Sequence, residues 1–470
     1  MRISWKWCIL RTYRHFREIY YMSGMSSMDR EKKKRQLRNN IVQTPKQDRP
    51  PFYKEEEDSE DTLRQALGQR RRKKTFMFLV LAVFLTATVF CWYQYQNEYE
   101  YTEYDVSWEQ SMRFSDGVQG GGQEEEGTPG NETGKVVSDS SFVQYEYFGD
   151  NMIKYTKDGA SYIDASGKTI WTQGYEMKTP IINVNGDYAV IADQQGNQVY
   201  ICNREGCTGV AKTQLPITKA AVSARGVTAA VVEDSTASYV FYFKKDGEEL
   251  GIYIKMLLSG DGYPIDLALS PDGKQVVMSV AFLKNGALKN KVVFYDFSEI
   301  GKNVNNRFIG AFEEEFDGKM VARVRYLNEE TVCAFSDKGM TFISVKNVIP
   351  DTTVVTVPVE EEIKSICYSG RYAGVVVDNA SGSSSRLDLY STDGKRAASV
   401  DFDYPYSGVE IDGDKIILYN EESCRIYNLD GHKKFDGQFD FPVSCVRAGK
   451  NHLNSLIVAG SDVMKEIKLK

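Results

Sequence analysis

The sequence has little of what chemistry usually requires. Its 470 residues hold three histidines, His15, His432 and His452, and its eight cysteines form no Cys-x-x-Cys pair. Neither a metal site nor a disulfide framework can therefore be read from spacing. There is no Gly-x-Ser-x-Gly, and two histidines in the large C-terminal part offer few general bases for a Ser, Cys or Thr nucleophile. Phosphate-cradling loops are missing too, because Gly120, Gly121 and Gly122 precede no strand-helix unit. Paired carboxylates are common, but in an acidic chain they read as solvated surface and not as a glycosidase centre. These absences set an enzyme aside, and no cofactor is expected.

Long hydrophobic runs are equally scarce, with one exception. Residues 75–93, TFMFLVLAVFLTATVFCWY, carry no charge and follow Arg70, Arg71, Arg72, Lys73 and Lys74. As a helix the run covers roughly 28 Å, close to the hydrocarbon thickness of a bilayer. Trp92, Tyr93 and Tyr95 close it as an interfacial belt would. Some 70 residues precede the run and no small-residue site ends it, which disfavours a cleaved signal peptide.

The run divides the charge. Residues 1–74 hold 20 Lys+Arg and 10 Asp+Glu, leaving 38 basic and 55 acidic residues beyond, so a tail of +10 precedes a body of −17. The overall −7 describes neither part. Five basic residues, 70–74, flank one end of the run; nine acidic residues and Arg113 lie between Gln94 and Glu126. Basic residues 70–74 thus act as a topology signal, placing the N-terminus in the cytoplasm and the C-terminal domain outside. A body this acidic has no footprint for nucleic acid.

Four segments are expected. Residues 1–74 form a disordered basic tail, in which 61–74 could turn helical against an anionic leaflet, and Met22, Met25 and Met28 are alternative starts. Residues 75–93 span the membrane. Residues 94–140, rich in Tyr, Glu and Gly, read as a flexible stalk of about 35 Å root-mean-square length. Residues 141–470 form the extracytoplasmic domain, so a chain beginning near Gly134 is expected to fold as a soluble, β-rich monomer.

That domain shows short runs of β-branched and aromatic residues broken by turn signals, with no long helical pattern. A strand-turn-strand junction recurs at residues 149, 186, 226, 273, 329, 370, 413 and 449, at intervals of 36 to 56 residues. This is the period of a four-stranded blade, and the fold class is an all-β propeller of eight blades, with seven as the alternative. Blade two reads as strands over 180–184, 188–192, 198–202 and 209–213. The stretch 283–291, LKNGALKNK, should project between two strands of the longest unit. The last unit has room for three strands, and its missing outer strand is expected from the residues just before Phe142. Cys202 and Cys207 flank the turn 203–206 and could be bridged in an oxidising compartment; the remaining extracytoplasmic cysteines read as buried hydrophobes.

Two short motifs bear on the fold. Asp164-Ala165-Ser166-Gly167-Lys168-Thr169-Ile170-Trp171 resembles the blade motif of quinoprotein-type propellers, which implies that Asp and Gly shape a turn and Trp docks between blades. Ser270-Pro271-Asp272-Gly273-Lys274 resembles the junction of WD-repeat and TolB-type propellers. The whole layout is similar to a bacterial membrane-protein family known as domain of unknown function 5711, and this resemblance implies an architecture without an assigned activity.

What remains for function is recognition. The first reading is a non-catalytic, membrane-anchored binding or scaffold module of the cell envelope with a protein or envelope-component partner. The alternatives are a transmembrane receptor whose propeller senses an envelope ligand and, further off, a quinone-cofactor oxidoreductase. The candidate partner site is a pair of acidic runs, Glu313, Glu314, Glu315 and Glu360, Glu361, Glu362, each placed by the repeat between the last strand of one unit and the first of the next. Equivalent connections share a face, so the runs should neighbour each other, with Asp317 and Glu330 extending the patch if the loops allow. A basic protein segment or Ca²⁺ suits such a patch. The topology is checked by adding protease to intact, wall-stripped cells, which should digest the C-terminal domain and spare residues 1–74; loss of an N-terminal tag with survival of the domain would reverse the orientation.

Overall fold

The computed structural model describes residues 55–112, 142–345, 353–379, 384–449 and 454–470. One helix, Glu55–Glu98, contains the basic residues 70–74, and its segment Thr75–Tyr95 is long and apolar enough to cross a membrane. Residues 55–74, expected in an unstructured tail, are thus helical. The rest of that tail, including the three alternative starts, lies outside the described residues.

The remainder is an eight-bladed β-propeller, every blade a four-stranded antiparallel sheet. Seven blades are continuous in sequence, spanning residues 143–174, 180–212, 217–257, 263–312, 321–358, 363–402 and 408–438. All eight recurring junctions fall where the innermost strand of a blade turns into the second. Five of them place a glycine in the left-handed region, at Gly149, Gly186, Gly226, Gly273 and Gly413, with φ between 57° and 84°. A side chain is disfavoured there, which is why glycine marks the repeat. Blade two has strands Pro180–Asn185, Tyr188–Asp193, Gln198–Asn203 and Cys207–Lys212, each within two residues of expectation.

Every blade buries its two faces against neighbours, and the apolar core is accordingly divided into eight clusters, one per interface between blades. Polar stitches reinforce several interfaces. Asn183, Asp266 and Asp412 each accept a hydrogen bond from a backbone N–H of the next blade's inner strand, at Val222, Val324 and Ala448, over 2.9–3.0 Å. Such a bond satisfies two groups that would otherwise be buried unpaired. The two motifs behave as their resemblances imply. Asp164 accepts from the N–H groups of Ser166 and Lys168, and the Trp171 indole donates to Asn203 O of blade two at 3.1 Å. Asp272 likewise accepts from Ser270 Oγ and Lys274 N. Cys202 and Cys207 are joined by a disulfide, and Cys333, Cys367, Cys424 and Cys445 are buried free thiols.

The closing strand is a correction. Blade eight takes three strands from residues 445–469 and its outer strand from Tyr104–Ser111, not from the residues before Phe142. Part of the expected stalk is therefore built into the disc. An outermost strand packs only one side against its blade, and here Tyr104 and Trp108 alone are part-buried, while Val106 and the polar residues around it are exposed. Blade eight meets blade one through polar bonds, one of them to Met112 at the end of this strand. The buried Lys154 amine donates to Met112 O at 2.6 Å and Ser461 O at 2.9 Å. Tyr145 and Tyr147 donate to Gly460 O and Val446 O, and Arg447 donates to Asn151 O at 2.7 Å.

It follows that a chain starting at Gly134, expected above to fold well, lacks the outer edge of blade eight and loses Met112 O, one of the carbonyls to which the buried Lys154 amine donates. Loss of one buried hydrogen bond from a charged group costs about 1.5–3 kcal/mol. A chain starting at Tyr99 should unfold cooperatively at a clearly higher denaturant midpoint than one starting at Gly134, and equal midpoints would contradict the assigned closure.

Candidate functional site

In an up-and-down blade, successive connections alternate between the two faces of the disc. One face carries the outer-to-inner links between blades and the turns between second and third strands; the other carries the remaining turns. Among the described residues, the connections on the first face hold 17 carboxylates and four Lys or Arg, and those on the second hold 13 and 10. The first face is strongly negative and the second close to balanced. This asymmetry is larger than the two glutamate runs alone account for.

The runs lie where the repeat placed them, in the links from blade four to five and from five to six, on the acidic face. Neither is a bare block of charge. Lys284 pairs with Glu313 at 2.5 Å, and Lys289 pairs with Asp317 at 2.6 Å. Arg386 bridges Glu361 and Asp388 at 2.8 and 2.9 Å, and its guanidinium holds the Glu361 carboxyl below its usual range. Lys364 sits 3.3 Å from both Glu362 and Asp378. Glu314, Glu315 and Glu360 take no part in these pairs, and they carry the uncompensated charge. Glu330 does not join them, since it lies in an inner-to-second-strand turn and so on the opposite face. The topology residues Arg70, Arg71, Arg72, Lys73 and Lys74 sit on the helix immediately before its apolar segment.

The same face contains a shallow depression of about 390 Å³ between blades seven and eight, lined by Glu421, Glu422, Gln438, Phe439, Asp440, Phe441 and Pro442. Lys465 pairs with Asp440 at 3.1 Å and places its amine 4.9 Å from the centre of the Phe441 ring. Carboxylates beside aromatic rings suit a cation, and the chain's own lysine already uses that chemistry.

A second charged cluster lines the central channel, on inner strands. Glu146 of blade one stands across the ring from Arg323 and Arg325 of blade five. It is exposed to water, yet walled in by the blades, and desolvation pushes its carboxyl up to about 7 against the pull of the two arginines. Burial, then repulsion from Glu146 and Asp412, raises Glu410 to about 8. Asp266 and Tyr368 hold Arg325 at 2.8 and 3.1 Å, so its charge is already engaged. Among the described residues no group of three or more His, Cys, Asp or Glu gathers as metal ligands. Sequence reading missed the two glutamates because VQYEYF and GVEID look like ordinary alternating strands. Only the ring brings them together.

Glu146 and Glu410 bind protons more tightly in the folded chain than in the unfolded one, where both titrate near 4.5. Their contribution to stability is fully present below about pH 4.5, declines as pH rises, and is lost above about 8. Glu410→Gln should therefore match the parent at pH 4.5 and exceed its stability at pH 9 by about 1–2 kcal/mol, allowing for water in the channel. Denaturant unfolding at the two pH values measures this, and a pH-independent difference would refute it.

A family model described as a family of unknown function (DUF5711) matches residues 130–469. No curated protein matches the chain. Solved structures that resemble it include Sqt1 from Chaetomium thermophilum, at 10% identity and a TM-score of 0.47, over 70% of this chain and 95% of that one. Another is Hsv2 of Kluyveromyces lactis, at 14% identity and a TM-score of 0.42, over 63% and 97%. A further structure of Chaetomium thermophilum Sqt1, bound to the N-terminus of the ribosomal protein L10, is 11% identical with a TM-score of 0.45, over 69% and 92%.

Proposed function

The chain belongs to the DUF5711 family, whose function is unknown, and from that premise we propose that it is a non-catalytic binding module, anchored in the bacterial membrane by one helix, whose acidic face captures a basic protein partner in the cell envelope. The observation that carries this reading is the charge difference between the two faces of the disc. A surface without a partner drifts toward mixed charge, because single-sign crowding costs self-repulsion. The second face shows that mixture, with ten basic residues among thirteen carboxylates. The first does not.

Electrostatic capture by a rigid disc also needs no catalytic group, which agrees with the scarcity of histidine and with function carried by loops on a fixed frame. The flanking basic residues 70–74 support a cytoplasmic N-terminus, so that the propeller is displayed outside. The receptor reading has one observation in its favour, the uninterrupted helix Glu55–Glu98 that joins the basic segment to the apolar one. Recovery of a cytoplasmic regulator by crosslinking through the tail would shift the assignment to it.

Replacing all six glutamates would also untie Lys284, Arg386 and Lys364, so the cleaner variant is Glu314→Gln, Glu315→Gln, Glu360→Gln, which touches only carboxylates outside those pairs. Crosslinking of the full-length chain in native membranes should recover a basic protein whose yield falls at least fivefold in the triple variant and becomes less sensitive to salt. Unchanged recovery at low ionic strength would remove the acidic face from the function.

A further inference from the structure

The longest blade raises a hairpin above the acidic face, and its tip is apolar. Gln275–Lys284 and Ala287–Asp296 pair without interruption up to a two-residue turn of Asn285 and Gly286, with φ of 55° and 78°. Positive φ at both residues is the type I′ geometry that matches strand twist. Leu283 and Leu288 stand directly opposite each other in the register, 75% and 61% exposed. Leu283 and Leu288 rank first and second for exposure among the described large hydrophobics outside the apolar helix, ahead of Tyr253 at 58%, so the pair is the most exposed apolar feature among the described residues of the disc.

The arm is fixed in place. Lys284 and Lys289, beside the leucines, reach Glu313 and Asp317 of the link to blade five, and the Lys291 amine lies 4.8 Å from the centre of the Phe282 ring. Leu283 and Leu288 share a pleat face with Ser279 and Asn290, which bond to Val321 O and Val321 N at 2.6 and 3.0 Å. Val321 is where that acidic link ends and blade five begins. The leucines therefore lie on the pleat face that turns toward blade five, while Lys284 and Lys289 stand on the opposite pleat face and still reach the link that carries Glu314 and Glu315.

We propose that this hairpin tip and the adjoining acidic link form one docking site for a basic amphipathic segment of a partner protein, apolar side chains on Leu283 and Leu288 and Lys or Arg on Glu314, Glu315 and Glu360. This rests on the reading of the acidic face given above and adds the form of the partner. The two lysines of the arm are neutralised by Glu313 and Asp317, so they do not repel a basic segment. An anionic lipid surface meets the uncompensated glutamates with like charge, and a second copy of the chain brings the same acidic face. Helix-in-groove recognition pairs an apolar stripe with a charged flank in this way.

The test uses the full-length chain in zwitterionic nanodiscs with a labelled 18-residue Leu/Lys amphipathic helix, and a control peptide of equal charge with its leucines replaced by serine. The amphipathic helix should bind at least tenfold more tightly. Leu283→Ser with Leu288→Ser should abolish that ratio while leaving salt-dependent binding of both peptides, since side chains this exposed are not needed for folding, as circular dichroism will check. Glu314→Gln, Glu315→Gln, Glu360→Gln should weaken both peptides and flatten the salt dependence. A ratio unaffected by the serine variant, with the glutamine variant still acting, overturns the docking site and leaves the acidic face standing; indifference to both variants overturns the two together. Leucine-dependent self-association in sedimentation, or leucine-dependent binding to anionic vesicles, would assign the tip to a different occupant and overturn the proposal.

Discussion

Closure of the ring is the constraint on which the structure depends. A blade cannot bury both faces alone, so each relies on two neighbours, and a single open interface leaves two sheets uncovered. Here the interface between blades eight and one is the seam. Its apolar cluster is built from three methionines, two isoleucines, two alanines and a thiol, soft and small groups beside the valine- and phenylalanine-rich cluster between blades four and five. Polar bonds compensate: Lys154, Tyr145, Tyr147 and Arg447 all cross the seam to backbone carbonyls. These bonds are directional, and they fix the register that methionine packing alone would leave loose.

Much of the fold was legible because its repeat is written in backbone chemistry. Glycine at a left-handed turn cannot be replaced cheaply, so Gly149, Gly186, Gly226, Gly273 and Gly413 mark their blades whatever else has diverged. The closing strand was not legible for the opposite reason. Its burial runs one residue inward and three outward, and YDVSWEQS in a Glu- and Tyr-rich stretch reads as linker until its partner is known. The acidic runs could be found by eye, while the ionic pairs that spare Glu314, Glu315 and Glu360 depend on Lys284 and Arg386, which come from other strands. The channel glutamates needed the ring itself, since Glu146 and Glu410 are far apart in sequence and are joined only by curvature.

The two charged features of the disc differ in how they treat water. On the acidic face the carboxylates are solvated, and several are held low by lysine or arginine, as at Glu361 and Asp440. In the channel, water is present but the walls are close, and Glu146 and Glu410 hold their protons toward neutrality. One surface keeps its charge across the physiological range and the other loses part of it. Stability and the charge of the acidic face can therefore respond to pH separately, because different carboxylates govern them.

The position of the closing strand sets an order in time. Tyr104–Ser111 leaves the ribosome long before Val463–Leu469, its strand partner among the described residues, and at ordinary synthesis rates the interval is about 20–70 s. Throughout that time seven blades can form and stack, but the ring stays open and the first strand has no sheet to join. A chain cut short before Val463–Leu469 lacks the sheet edge that Tyr104–Ser111 joins, so the ring can close only after that strand has been made.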